Sequence, residues 1–193
     1  VDNELNQTNS RVNGYVVGYI PPELRVNEFM AENLNRVEDV DDPGEFPDWM
    51  EIYNPTSAAI SLNGLFLSDS PHEPTLFRIP NGLSVPAKGF MIFWLDSDDG
   101  KNQGPNHTNF NLNKDGDFLG LFGAQGTVLV DGLDFGKQTS NVSMGRFPDG
   151  AGGANTAASF KFLVCVTAGK PNMLCDDKTF MPSVRVPAAP EQR

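Results

Sequence analysis

The sequence predicts an all-β domain, a sandwich or barrel built of short strands. Three observations predict it. Runs rich in β-branched and aromatic residues recur along the chain, separated by Gly, Pro, Asn or Asp clusters. No segment sustains a 3.6-residue apolar period with helix caps, so no substantial helix is expected. Every Phe except Phe180, and both Trp, lie between Val26 and Asn172. That stretch should hold the core, and its length is ample for a sandwich.

The elements follow in order. Residues 1–24 are rich in Asn, Gln, Thr and Ser and read as a linker, with an apolar piece at 14–20 that suits an extra edge strand. Strand-like runs then fall at 25–31, 48–53, 60–67, 76–79, 89–95, 109–112, 118–122, 127–135, 143–147 and 160–164. The run at 48–53 is shut off by Asn54-Pro55, a turn signal. Residues 90–95 are apolar on both faces, which suits a central strand or one with a face covered by a loop. Phe110-Asn111-Leu112-Asn113 alternates as a half-solvated strand should. With Asp115-Gly116 as a type I′ turn and 118–122 as the return, it predicts a hairpin. Residues 151–159 are small and Gly-rich and read as a mobile insert. Residues 173–193 become Pro-rich and charged, a linker or disordered tail. The domain is therefore expected at 25–172.

The run Pro47-Asp48-Trp49-Met50-Glu51-Ile52-Tyr53-Asn54-Pro55 resembles the central motif of the lamin tail domain family, in its bacterial secreted form. Collinear pieces extend the resemblance over roughly 26–172. They include Val26-Asn27-Glu28-Phe29-Met30-Ala31, Phe77-Arg78-Ile79-Pro80, Trp94-Leu95-Asp96, Ser143-Met144-Gly145-Arg146-Phe147-Pro148-Asp149-Gly150 and Thr167-Ala168-Gly169-Lys170-Pro171-Asn172. In the last of these, Ala168 replaces the usual Pro. The resemblance implies an immunoglobulin-like β-sandwich that binds or tethers, in a secreted or envelope-associated multidomain protein. It implies no catalytic residue.

The formal charge is −11 and the pI about 4.5. Nucleic-acid phosphates demand Lys and Arg, so no nucleic-acid partner is expected. No apolar run approaches the roughly 20 residues of a membrane helix, so no membrane insertion is expected either. The chain starts at Val1 and is read as a processed or excised piece of something longer. Cys165 and Cys175, near the end of the core, can bridge. A disulfide would put the protein outside a reducing cytoplasm, in a secreted or cell-envelope setting. The alternative is one buried and one exposed thiol.

Catalytic patterns are missing: no Gly-x-Ser-x-Gly elbow, no phosphate loop, no dinucleotide fingerprint. His72 and His107 are the only imidazoles, and His107 reads as a hydrogen-bonding residue at a strand start. Glu28 and Glu51 each interrupt an apolar strand. On neighbouring strands they would raise one another's pKa and form an acid–base pair or a cation site. The structural alternative, which we favour, is that each accepts hydrogen bonds from a loop backbone. Two acidic clusters, Glu38, Asp39, Asp41, Asp42 and Glu45, and then Asp96, Asp98 and Asp99, are candidate calcium loops, but neither has EF-hand spacing and solvated loops are the expectation. Trp49 and Tyr53 share a strand face and would make a sugar-binding platform if exposed. Asn106 and Asn141 head glycosylation sequons. The sequence thus assigns no catalytic residue, cofactor or metal. It points to an interaction module whose partner is a protein, a polymer or a neighbouring domain. A carbohydrate-binding module is the runner-up, and a metal-dependent hydrolase using acidic residues comes third.

Overall fold

The computed structural model describes residues 11–12, 15–16, 18–97, 104–153, 157–175 and 184–185. Its strands are β1 (Arg11–Val12), β2 (Tyr15–Val16), β3 (Arg25–Met30), β4 (Val37–Glu38), β5 (Asp48–Tyr53), β6 (Ile60–Ser61), β7 (Phe66–Ser68), β8 (Phe77–Arg78), β9 (Ser84–Val85), β10 (Phe90–Leu95), β11 (Gly116–Gly123), β12 (Val128–Gly136), β13 (Ser143–Arg146), β14 (Phe160–Leu163) and β15 (Val184–Arg185). Among the described residues the only helical element is a single 3-10 turn at Ala157–Ser159. Two antiparallel sheets face each other: a five-stranded one in the order β10-β5-β3-β13-β14, and a four-stranded one in the order β12-β11-β7-β8. The pairs β1–β2, β6–β9 and the parallel β15–β4 lie outside these sheets.

The period of two explains the layers. From β5, Met50 and Ile52 point between the sheets, where they join Phe29, Phe93, Leu119, Leu121 and Leu133. Phe29 and Phe135, one from each sheet, pack with tilted rings, centroids 4.6 Å apart. Trp49 and Glu51 point to the opposite face of the same sheet. That face is also buried: Met30, Trp49, Ile92 and Trp94 pack there against Val37, Val166 and Ala168. The five-stranded sheet therefore has two covered faces. Asp131 on β12 and Arg146 on β13 join the sheets through contacts of 2.9 and 3.0 Å, with neither residue exposed. Asp131 also accepts from Val26 N on β3, and Arg146 Nε donates to Val26 O.

Several expectations need correction. Residues 109–112 form no strand, and the expected hairpin with 118–122 does not exist. Strand β11 pairs instead with β12 and β7. The alternation was real, with Phe110 and Leu112 buried and Asn111 and Asn113 exposed. Side chains, however, take up the backbone there: Thr108 Oγ1 donates to Phe110 O, and Asp48 Oδ2 accepts from Leu112 N. The turn at Asn113–Gly116 is present, with Gly116 at φ 130° donating to Asn113 O. The run 60–67 splits into β6 and β7 in different sheets, because a turn from Leu62 O to Leu65 N passes through Gly64 at φ 76°. Of the two readings of residues 90–95, the covered face holds: β10 is an edge strand and not a central one. Its second face is apolar because β4 and the 166–168 segment cover it.

Of the expected linker, the described part includes β1 and β2. Of the tail, residues 176–183 and 186–193 lie outside the described residues, as do 154–156 of the Gly-rich insert.

Candidate functional site

The first site candidate is the glutamate pair. Strands β3 and β5 are adjacent, and a bulge at Asn27 brings Glu28 into register directly opposite Glu51. Both are fully buried. The lid over them is the segment between Cys165 and Cys175, which a disulfide closes. Glu28 Oε1 accepts from Ser143 Oγ at 2.5 Å and from Thr167 N at 3.1 Å. Glu51 accepts from Asn27 Nδ2 at 2.9 Å and from Gly169 N at 2.7 Å. Two loop amides thus end on the two carboxyl groups. This is the structural arrangement favoured from the sequence.

Hydrogen bonding also locates a proton. Thr167 Oγ1 lies 2.8 Å from both Glu28 Oε2 and Asn172 Oδ1. Asn172 Nδ2 faces Arg146 O at 2.9 Å and Asn27 O at 3.3 Å, so its Oδ1 is left to accept. The single Thr167 hydroxyl proton goes to Asn172, and Glu28 Oε2 must then carry the proton it shares with Thr167. Glu28 is accordingly a neutral carboxyl group. Burial raises its pKa from 4.5 to about 7, opposed by the Ser143 and Thr167 hydrogen bonds. Burial, and then the charge that Glu28 would carry if ionised, push the Glu51 carboxyl well up too. The shared proton is still placed on Glu28, because both groups that reach Glu51 are donors suited to a carboxylate.

The second candidate was not legible in the sequence as one site. It joins the two acidic clusters around His107. The 104–108 segment runs beside β10, with Trp94 N donating to Asn106 O and Thr108 N donating to Trp94 O. That pairing buries His107 and places its Nδ1 2.6 Å from Asp96 Oδ2. Its Nε2 lies 3.7 Å from Asp39 Oδ2 and 3.8 Å from Asp41 Oδ2. Asp39, Asp96 and His107 offer ligand atoms that all lie within 4.8 Å of one another. Asp98 and Asp99 fall outside the described residues. His72 is exposed and plays no part in either cluster.

Above this cluster opens a depression of about 490 Å³ lined by Glu32, Asp42, Glu45, Asp48 and Asp96, among others. It shares Glu32, Asp48 and Asn111 with a neighbouring depression of about 520 Å³ that adds Asp69 and Asp117. The two make an acidic trough along the rim of the sandwich. Among the described residues, Lys114, bound to Glu32, is the cation lining it.

The aromatic platform does not form. Trp49 is fully buried under β4 and the 166–168 segment, and Tyr53 stacks on Phe90 at 4.9 Å. Of the sequon residues Asn106 and Asn141, Asn106 is buried. Asn141 accepts from Leu34 N and Asn35 N through its amide oxygen.

Comparison with known proteins gives one match: the family model described as Lamin Tail Domain fits residues 21–137. No curated protein and no solved structure matches the chain. The match ends before β13, β14 and the loop that caps the glutamates, yet these complete the five-stranded sheet.

Proposed function

The chain belongs to the lamin tail domain family, and from that premise we propose that it is a non-catalytic interaction and tethering module of a secreted or envelope-associated protein. The family is one of immunoglobulin-like modules that are generally non-catalytic. The observation that carries the reading is the engagement of Glu28 and Glu51. These are the strongest candidates for acid–base chemistry, and both are wholly buried with their oxygens taken by the closing loop. A general base needs a substrate proton within hydrogen-bond reach, and a carboxyl group with no exposed surface offers no such approach. The Cys165–Cys175 disulfide supports an extracytoplasmic setting. The surface open for binding is the acidic trough, and its charge favours a basic protein segment. The sugar-binding reading loses its support with the burial of Trp49.

Purified protein should therefore turn over no ester, phosphodiester or glycoside above background. Glu28→Gln/Glu51→Gln is the paired control. Turnover in the wild type that vanishes in this variant would overturn the reading.

A further inference from the structure

Four side-chain oxygens meet around His107 with no hydrogen-bond donor among the described residues: Asp39 Oδ2, Asp41 Oδ2, Asp96 Oδ1 and Asn106 Oδ1. Asn106 is the informative one, because it is neutral and only 4% exposed. Its Nδ2 donates to Ile92 O at 3.1 Å, which fixes the amide and turns Oδ1 away from the strand. A Cβ built on Gly104 would lie 2.7 Å from that oxygen and 3.0 Å from Asp41 Oδ2. The two oxygens thus border one small space that a glycine leaves open.

Buried acceptors without donors are costly, and several carboxylates together compound the cost. A protonated imidazole offers one proton toward this side, too few for the oxygens gathered there. A cation answers the oxygens of Asp39, Asp41 and Asn106 at once. Asp39 Oδ2 and Asp41 Oδ2 stand 3.7 and 3.8 Å from His107 Nε2. Ligand atoms held about 2.1 Å from a tetrahedral ion lie about 3.4 Å apart, so these separations are near those of a shared ion.

We propose that Asp39, Asp41, His107 and the Asn106 amide oxygen bind a divalent transition-metal ion, and that Asp96 positions the imidazole. The donor set decides the class of ion. One imidazole nitrogen with carboxylate and amide oxygens suits zinc and its neighbours, whereas calcium takes oxygen alone. The 2.6 Å contact of Asp96 with Nδ1 places the ring proton there and directs the Nε2 lone pair into the site. Asp39 and His107 are each 1% exposed, so the ion is held mainly by buried ligands. It fastens the loop after β4 to the 104–108 segment beneath the acidic trough.

Zinc is the probe. Protein stripped with chelator and then dialysed against zinc should retain one equivalent per chain by elemental analysis. Its Tm should rise with zinc concentration, since a ligand of the native state stabilises by mass action. Cobalt should give visible absorption bands of a nitrogen- and oxygen-bound ion. Asp41 is the most exposed of the ligands, so Asp41→Asn should fold and should bind zinc at least about tenfold more weakly. Asp96→Asn should weaken binding about 10- to 100-fold, as loss of an orienting carboxylate does. Three results would overturn the proposal: no stoichiometric zinc in the wild type, unchanged affinity in Asp41→Asn, or a preference for calcium over zinc.

Discussion

Glu28 stands directly opposite Glu51 across β3 and β5, and both are buried beneath one disulfide-closed loop. Like charges so placed cannot both ionise without cost, and the hydrogen bonds around Glu28 place a proton on it. The pair does two jobs with one arrangement. Its oxygens receive the loop amides, and its proton links Glu28 through Thr167 to Asn172.

A pH dependence follows, and its sign is fixed. The folded pKa of Glu28 is raised from 4.5 to about 7. Between those values the native state holds a proton that the unfolded chain has released, so stability falls as pH rises through this window. The full effect is on the order of 3 kcal/mol, at about 1.4 kcal/mol per pH unit. Glu28→Gln keeps an N–H donor toward Thr167 and an oxygen acceptor toward Ser143, yet cannot ionise. It should match the wild type near pH 4.5 and become the more stable of the two by pH 7.5. Urea unfolding of both proteins at several pH values measures the difference, and a pH-independent difference would remove the buried proton.

Trp49 anchors the second covered face. It packs with Met30, Ile92 and Trp94, and nothing of it reaches solvent. Trp49→Ala should cost about 3–5 kcal/mol, as loss of a large buried aromatic does. Its Nε1 has no hydrogen-bond partner among the described residues. Trp49→Phe removes that unpartnered N–H while keeping a ring, so it should cost clearly less than the alanine change. Denaturant midpoints of the two variants test the order. An unchanged midpoint for Trp49→Ala would put the side chain on the surface.

The strands and the glutamates were legible because their signals are local. Asp48–Tyr53 matched residue for residue, since alternation and the Asn54-Pro55 stop lie within one short run. Glu28 and Glu51 stood out as charges within apolar strands, and only their pairing depended on which strands are neighbours. The 109–113 segment was misread because alternation records burial, not backbone pairing. Phe110 and Leu112 point inward, while Thr108 and Asp48 side chains take the place of a partner strand. The His107 cluster was illegible for a different reason. Asp39 and Asp41, Asp96, and Asn106 with His107 come from three separated segments, and only the docking of residues 104–108 along Trp94 brings them together. Strands β4 and β9, two residues each, are too short to show any period.

A single disulfide-closed loop covers the glutamate pair. Cys165 and Cys175 are bonded, and Thr167, Gly169 and Asn172 all lie between them. Cross-linking so short a loop limits the unfolded chain and contributes up to about 3 kcal/mol in the chain-entropy model. Thiol titration under denaturing, non-reducing conditions should find no free thiol. Reduction should lower the Tm, and hydrogen exchange should show the Thr167 and Gly169 amides losing protection before those of β3 and β5, because local opening begins where the fewest contacts hold. Once the loop lifts, water reaches Glu28 and the cause of its raised pKa is gone. The pH-dependent difference between wild type and Glu28→Gln should therefore shrink in reduced protein. Two titratable thiols in the unreduced sample would defeat the bridge and withdraw the support it gives to an extracytoplasmic setting. A pH effect that survives reduction unchanged would separate the proton on Glu28 from the loop above it.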